Sequence, residues 1–114
     1  MRFDPDGHVP SPEALVLVAR RFRLLAEPAR LRVLHALSEG ASAVTDLALR
    51  CGMSVGMLSR HLQVLHDGGF VRRRRDGVRV IYALADAQIL ELCDLMCGRL
   101  ASELAVVRGA FAGE

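Results

Sequence analysis

Four consecutive arginines, Arg72, Arg73, Arg74 and Arg75, precede Asp76-Gly77, and Arg79 follows. A guanidinium is a planar, permanently charged fork that matches phosphate oxygens and the guanine edge. Arginines near a hairpin tip can grip the DNA backbone or enter a narrow minor groove. Charge on a strand edge also blocks aggregation, but four in a row exceed that need. Just upstream, Ser54, Gly56, Met57, Ser59, Arg60, His61 and Gln63 fall on one short stretch. Serine and glycine allow a DNA backbone to come close. Arg60 suits guanine or phosphate, Gln63 suits adenine, and His61 beside Arg60 suits phosphate. These residues are the candidate DNA contacts.

A second set could hold a soft ion. Cys93 and Cys97 are i, i+4, so both thiols can share a helix face. If that face meets a two-fold mate, four thiols converge, which suits zinc, arsenite or a redox switch. As small buried hydrophobes, the same cysteines would simply pack. Asp4, Asp6 and His8 could present two carboxylates and an imidazole to nickel or zinc, with further ligands from a second subunit. Cys51 falls close to where DNA would lie. No Gly-rich phosphate loop, metalloprotease motif or nucleophile elbow is present, so no enzyme is expected.

The elements that must position these groups follow from periodicity. Residues 1–10 read as an arm. Ser11-Pro12 starts a helix with Leu15, Val18, Phe22 and Leu25 on one face. Pro28 opens a second helix carrying Leu31, Val33, Leu34 and Leu37. Ser42 is expected to cap a short helix over 42–50. Arg50-Cys51-Gly52-Met53 is expected to form a turn, and Ser54 to cap a further helix with Val55, Leu58, Leu62 and Leu65 inward. That is a helix-turn-helix over about 42–67. Phe70, Val71, Val78, Val80, Ile81 and Tyr82 favour strands, and Asp76-Gly77 signals a two-residue turn, giving a wing over about 70–84. Asp86 is expected to cap a last helix, about 87–110. Its Ile89, Leu90, Leu92, Leu95, Met96, Leu100, Leu104 and Val107 cover more circumference than one core needs. The expected fold is mainly α with a β-hairpin wing (α+β), a winged helix-turn-helix over 11–110. It is expected to form a homodimer through its first and last helices.

Composition agrees with one domain. The chain has 114 residues, 52% hydrophobic and 25% charged, which places it among folded proteins. No apolar run approaches the ~18 residues of a membrane span, and the polar start is not a secretory signal. A cytoplasmic location with free thiols is the expectation. All 15 basic residues are Arg. Residues 50–82 hold seven of them against Asp67 and Asp76, a net +5; the remaining eight face eleven acids, a net −3. A basic middle between acidic flanks marks a local site for an anionic partner.

The segments LLAEPARLRVLHAL, DLALRCGMSVGMLSRHLQVLHDGGFV and RRRRDGVRVIYAL, in this order over about 20–85, resemble the ArsR/SmtB bacterial repressors. The resemblance implies a homodimeric repressor on a palindromic double-stranded operator, released by an inducer that is often a thiophilic metal ion. Two motifs of that family are missing. SAVTDLA stands where metal-sensing members carry Cys-x-Cys, and the last helix has Asp86, Glu91, Asp94 and Glu103 but no His. Zinc, nickel and arsenite remain candidate effectors. The alternative is a winged-helix protein-interaction module, or a repressor that needs a partner protein.

Overall fold

The computed structural model describes residues 9–112. Asp4, Asp6 and His8 lie outside them. Helix α1 (Pro12–Leu25) starts as its sequence demands, with the Ser11 hydroxyl accepting from the Ala14 amide at 3.1 Å and Pro12 in the first turn. Helix α2 (Pro28–Leu37) follows. Strand β1 (Ser42–Ala43), helix α3 (Val44–Cys51), helix α4 (Val55–Asp67), strand β2 (Val71–Asp76), strand β3 (Arg79–Leu84) and helix α5 (Gln88–Ala112) complete the chain. The three strands form an antiparallel sheet in the order β1-β3-β2.

The core lies between α2, α3, α4 and the sheet. Val33, Leu34, Leu47, Leu58, Leu62 and Leu65 are its fully enclosed side chains, and Val71 and Tyr82 close it from the sheet. Each such burial contributes about 1.5–3 kcal/mol. The result is a helix-turn-helix resting on a hairpin, which holds α4 rigid.

Four local expectations are corrected. Ser42 does not cap α3. It is buried in β1 opposite Tyr82, and α3 begins at Val44 with no side-chain cap. Pairing with β3 satisfies backbone groups that would otherwise be buried alone. The helix-turn-helix turn spans residues 52–54, because α3 runs on through Arg50 and Cys51. Gly52 ends α3 at φ 65°, and the Met53 amide donates to the Ala48 carbonyl at 3.1 Å. Val55, expected inward, is 46% exposed in the first turn of α4. The hairpin loop is Gly77-Val78, since Asp76 pairs with Arg79. Gly77 takes the positive φ, 63°, that the first central position of such a turn needs. Val78 therefore leaves the strand and stands 96% exposed at the tip.

α1 and α5 stand apart from this core. α1 buries only Leu25, and α5 sets Ile89 against the core's edge. The Asp86 carboxylate caps α5 by accepting from the Gln88 amide at 2.9 Å. The radius of gyration is 17.4 Å, against about 13 Å for a compact chain of this length. Leu15, Leu17, Phe22, Leu95, Met96, Leu100 and Leu104 are all at least 46% exposed on these two helices. Among the described residues no helix is long and apolar enough to cross a membrane.

Candidate nucleic-acid interface

α4 separates its two faces cleanly. Leu58, Leu62 and Leu65 point into the core, which turns Gly56, Met57, Ser59, Arg60 and Gln63 outward, all exposed. The Ser54 hydroxyl accepts from the Met57 amide at 3.1 Å and fixes the N-terminus of the helix. A Cβ added at Gly56 would meet nothing within 4 Å, and its φ is not positive. Neither packing nor backbone geometry requires glycine there, so the position lowers helix propensity and leaves the surface open to close approach.

The wing lies beside this face. Arg72, Arg73, Arg74 and Arg75 are all exposed. Alternation along β2 sends Arg73 and Arg75 to the face that carries Val71, and Arg72 and Arg74 to the other, opposite Ala83 and Ile81. One guanidinium links wing and helix: Arg73 donates to Gln63 Oε1 at 3.1 Å, and Gln63 Nε2 donates to Asp67 at 2.8 Å. Both ends of the Gln63 amide are thus occupied within the chain. Arg79 donates to Asp46 at 3.1 Å and ties β3 to α3. Arg60, Arg72, Arg74 and Arg75 have no acidic partner within salt-bridge distance among the described residues.

His61 is half-buried and lines a cleft of about 470 Å³ with Glu27, Arg30, Met57 and Arg60. Arg30 joins this cleft from outside the residues that spacing singles out. Its Nε donates to the Leu24 carbonyl at 2.6 Å, which holds it over the start of α2 beside the recognition face. The signal is there all the same, as a cation in the first turn of a helix otherwise read only for its apolar stripe.

The thiols divide. Cys51 is buried at the end of α3, and its carbonyl accepts from Arg32 at 3.3 Å. Burial pushes its thiol above the ordinary value of 9.0, against the opposing pull of Arg50 and Arg32. Cys93 is half-buried; burial pushes its thiol up too, helped by Cys97 and Asp94. Cys93 and Cys97 both line a cleft of about 460 Å³ whose walls come from this one chain: the end of α1, α2 and α5. Among the described residues no three or more Cys, His, Asp or Glu gather as metal ligands would.

Known proteins share this arrangement. Residues 25–74 match the helix-turn-helix domain family. The HTH-type transcriptional regulator NmtR of Mycobacterium tuberculosis is 38% identical over 82 residues, 72% of this chain and 68% of that protein. A homodimeric winged helix-turn-helix DNA-binding domain of Mycobacterium bovis, described as a possible ArsR-family regulator, superposes with a TM-score of 0.73. It is 34% identical and covers 86% of this chain and 92% of that one. The chain belongs to the ArsR/SmtB family of transcriptional regulators. Another member, the antimony-specific repressor AntR, has a TM-score of 0.73 and 32% identity over 91% of this chain and 98% of its own. In this ArsR/SmtB protein the winged helix-turn-helix expected from the sequence is present.

Proposed function

We propose that two copies of this chain form a dimeric repressor of a palindromic operator, acting in the cytoplasm. The observation that carries the reading is the continuous exposed surface of α4 and β2, joined through Arg73 and Gln63. In this reading α4 enters the major groove, where Arg60 and Gln63 meet base edges while Ser54, Gly56, Met57 and Ser59 allow close docking. Gln63 exchanges its bonds to Arg73 and Asp67 for a base. Arg72, Arg73, Arg74 and Arg75 lie along phosphates or in the adjacent minor groove, with His61 and Arg30 on the backbone of the same half-site. Arg79 is held by Asp46 and serves the backbone only when that pair opens.

The exposed leucines of α1 and α5 supply the self-association surface, as the homodimeric M. bovis relative suggests. A thiophilic metal or metalloid is the effector class that AntR's name favours. It releases DNA by binding one dimer conformation better than the other. A mobility-shift titration on DNA upstream of the chain's own gene, with and without zinc, nickel and arsenite, tests this. Tight, salt-sensitive binding that one of them weakens supports the reading. Absence of any specific binding would turn it toward a protein-interaction module.

A further inference from the structure

Gln63 and Asp67 lie one turn apart on α4 and their side chains meet: Gln63 Nε2 donates to Asp67 Oδ1 at 2.8 Å. On its other side Gln63 Oε1 accepts from Arg73 of β2 at 3.1 Å. A guanidinium only donates and a carboxylate only accepts. The amide therefore has one consistent orientation, its oxygen toward the wing and its nitrogen toward Asp67. The two bonds fare differently against DNA. Arg73 has a better acceptor waiting, because a phosphate carries the full charge that an amide oxygen lacks. Asp67 has nothing to gain. DNA brings it no positive group, and His66 Nδ1, the other nitrogen near the same oxygen, stands 3.7 Å away. Gln63 Oε1 is released first, as a lone acceptor, while Nε2 stays on Asp67.

A lone acceptor needs a donor on the base edge. In the major groove adenine offers its N6 amino group and cytosine its N4 amino group, whereas guanine shows O6 and N7, and thymine shows O4 and a methyl group. Two-pronged contact with adenine also takes Nε2 to N7. That bond replaces the one to Asp67, so its net gain is close to zero. We propose that Asp67 is a positioning residue that makes Gln63 a reader of the amino group, adenine or cytosine, rather than of adenine alone. The role rests on the repressor reading, which lays α4 in the major groove.

The test uses the full-length protein and an operator selected from random DNA. Competition binding compares the four bases at one position of both half-sites, the position at which Q63A loses its preference. For the wild type, adenine and cytosine are expected within about 3-fold of each other, with guanine and thymine about 10- to 100-fold weaker. Placing 7-deazaadenine there, which lacks N7, changes affinity by less than about 2-fold, whereas purine without its 6-amino group costs about 10-fold. D67A, at a side chain 68% exposed, frees Nε2. Adenine then gains about 5- to 10-fold over cytosine, and 7-deazaadenine loses that gain. D67N keeps an oxygen acceptor and brings back the wild-type order. Removing the Asp67 charge raises affinity for every operator alike, so the ratios isolate the positioning effect. A wild-type preference for adenine over cytosine of about 10-fold or more, or a D67A profile equal to the wild type, would overturn the proposal. So would a Q63A protein that keeps every base preference, and tight, salt-sensitive binding in that case leaves the repressor reading standing. Absence of any specific operator binding would overturn both.

Discussion

The recognition face and the α1–α5 face have opposite compositions and opposite states of completion. The first is charged and already organised in a single chain. Leu58, Leu62 and Leu65 anchor α4 from behind, and Arg73 and Arg79 brace the wing against Gln63 and Asp46. The second is apolar and unpartnered, with Leu95 71% exposed and Met96 63% exposed. A single folded domain rarely leaves such a patch bare. In the proposed reading the contrast divides the labour: one chain builds the surface offered to DNA, and a pair of chains sets the distance between two such surfaces.

Charging the apolar face should have the largest effect. L95E combined with L104E should give a folded monomer by sedimentation and circular dichroism. Loss of bivalent binding should then lower operator affinity by about 10²-fold or more. Unchanged affinity in a proven monomer would mean that one recognition face suffices. Next comes the wing. Replacing Arg72, Arg74 and Arg75 together by alanine should weaken binding evenly across sequences. It should also flatten the plot of log affinity against log salt by about 0.9 for each phosphate that the wing no longer neutralises. Arg60→Ala should behave differently, costing about 1–3 kcal/mol of discrimination at one base pair in a competition assay. Its salt slope should fall by less than about 0.9, the value for a single phosphate.

Smaller effects sharpen the picture. Asp46→Ala removes an exposed pair and should change thermal stability by under about 1 kcal/mol. It also frees Arg79 and removes an acid beside the wing, so operator affinity should rise a few-fold. The thiols give the smallest signal. A thiol whose pKa is raised stays protonated further into the alkaline range, so its alkylation by iodoacetamide must keep climbing as pH passes 9.0. For Cys93 that climb should be visible by mass mapping, and buried Cys51 should be the slowest of the three cysteines to react.

Much of this is legible in the chain because it is written in local patterns. Ser11-Pro12, Ser54 and Asp86 start helices through bonds to amides two or three residues on, and these are all present. The inward spacing of Leu58, Leu62 and Leu65 fixes which side of α4 is outward. What escapes a reading of the chain depends on groups far apart in sequence. Ser42 reads as a cap until Tyr82 arrives to pair with it. Asp76-Gly77 marks the turn but not its register, which the pairing of Asp76 with Arg79 decides by moving Val78 to the tip. Arg79 looks like a free cation until Asp46, 33 residues away, reaches it. The thiol pair is visible as a spacing, yet its oily surroundings come from α1, α2 and α5 together, which no stretch of sequence displays.

The most direct test of the central claim is selection of preferred sites from random double-stranded DNA, followed by footprinting of the protein on the winning sequence. The expected winner is an inverted repeat with half-site centres about one helical turn apart, roughly 34–36 Å. Protection should cover both halves at once, and the footprint should be lost with the L95E/L104E pair. Enrichment of a single unpaired site, or no enrichment at all, would contradict it.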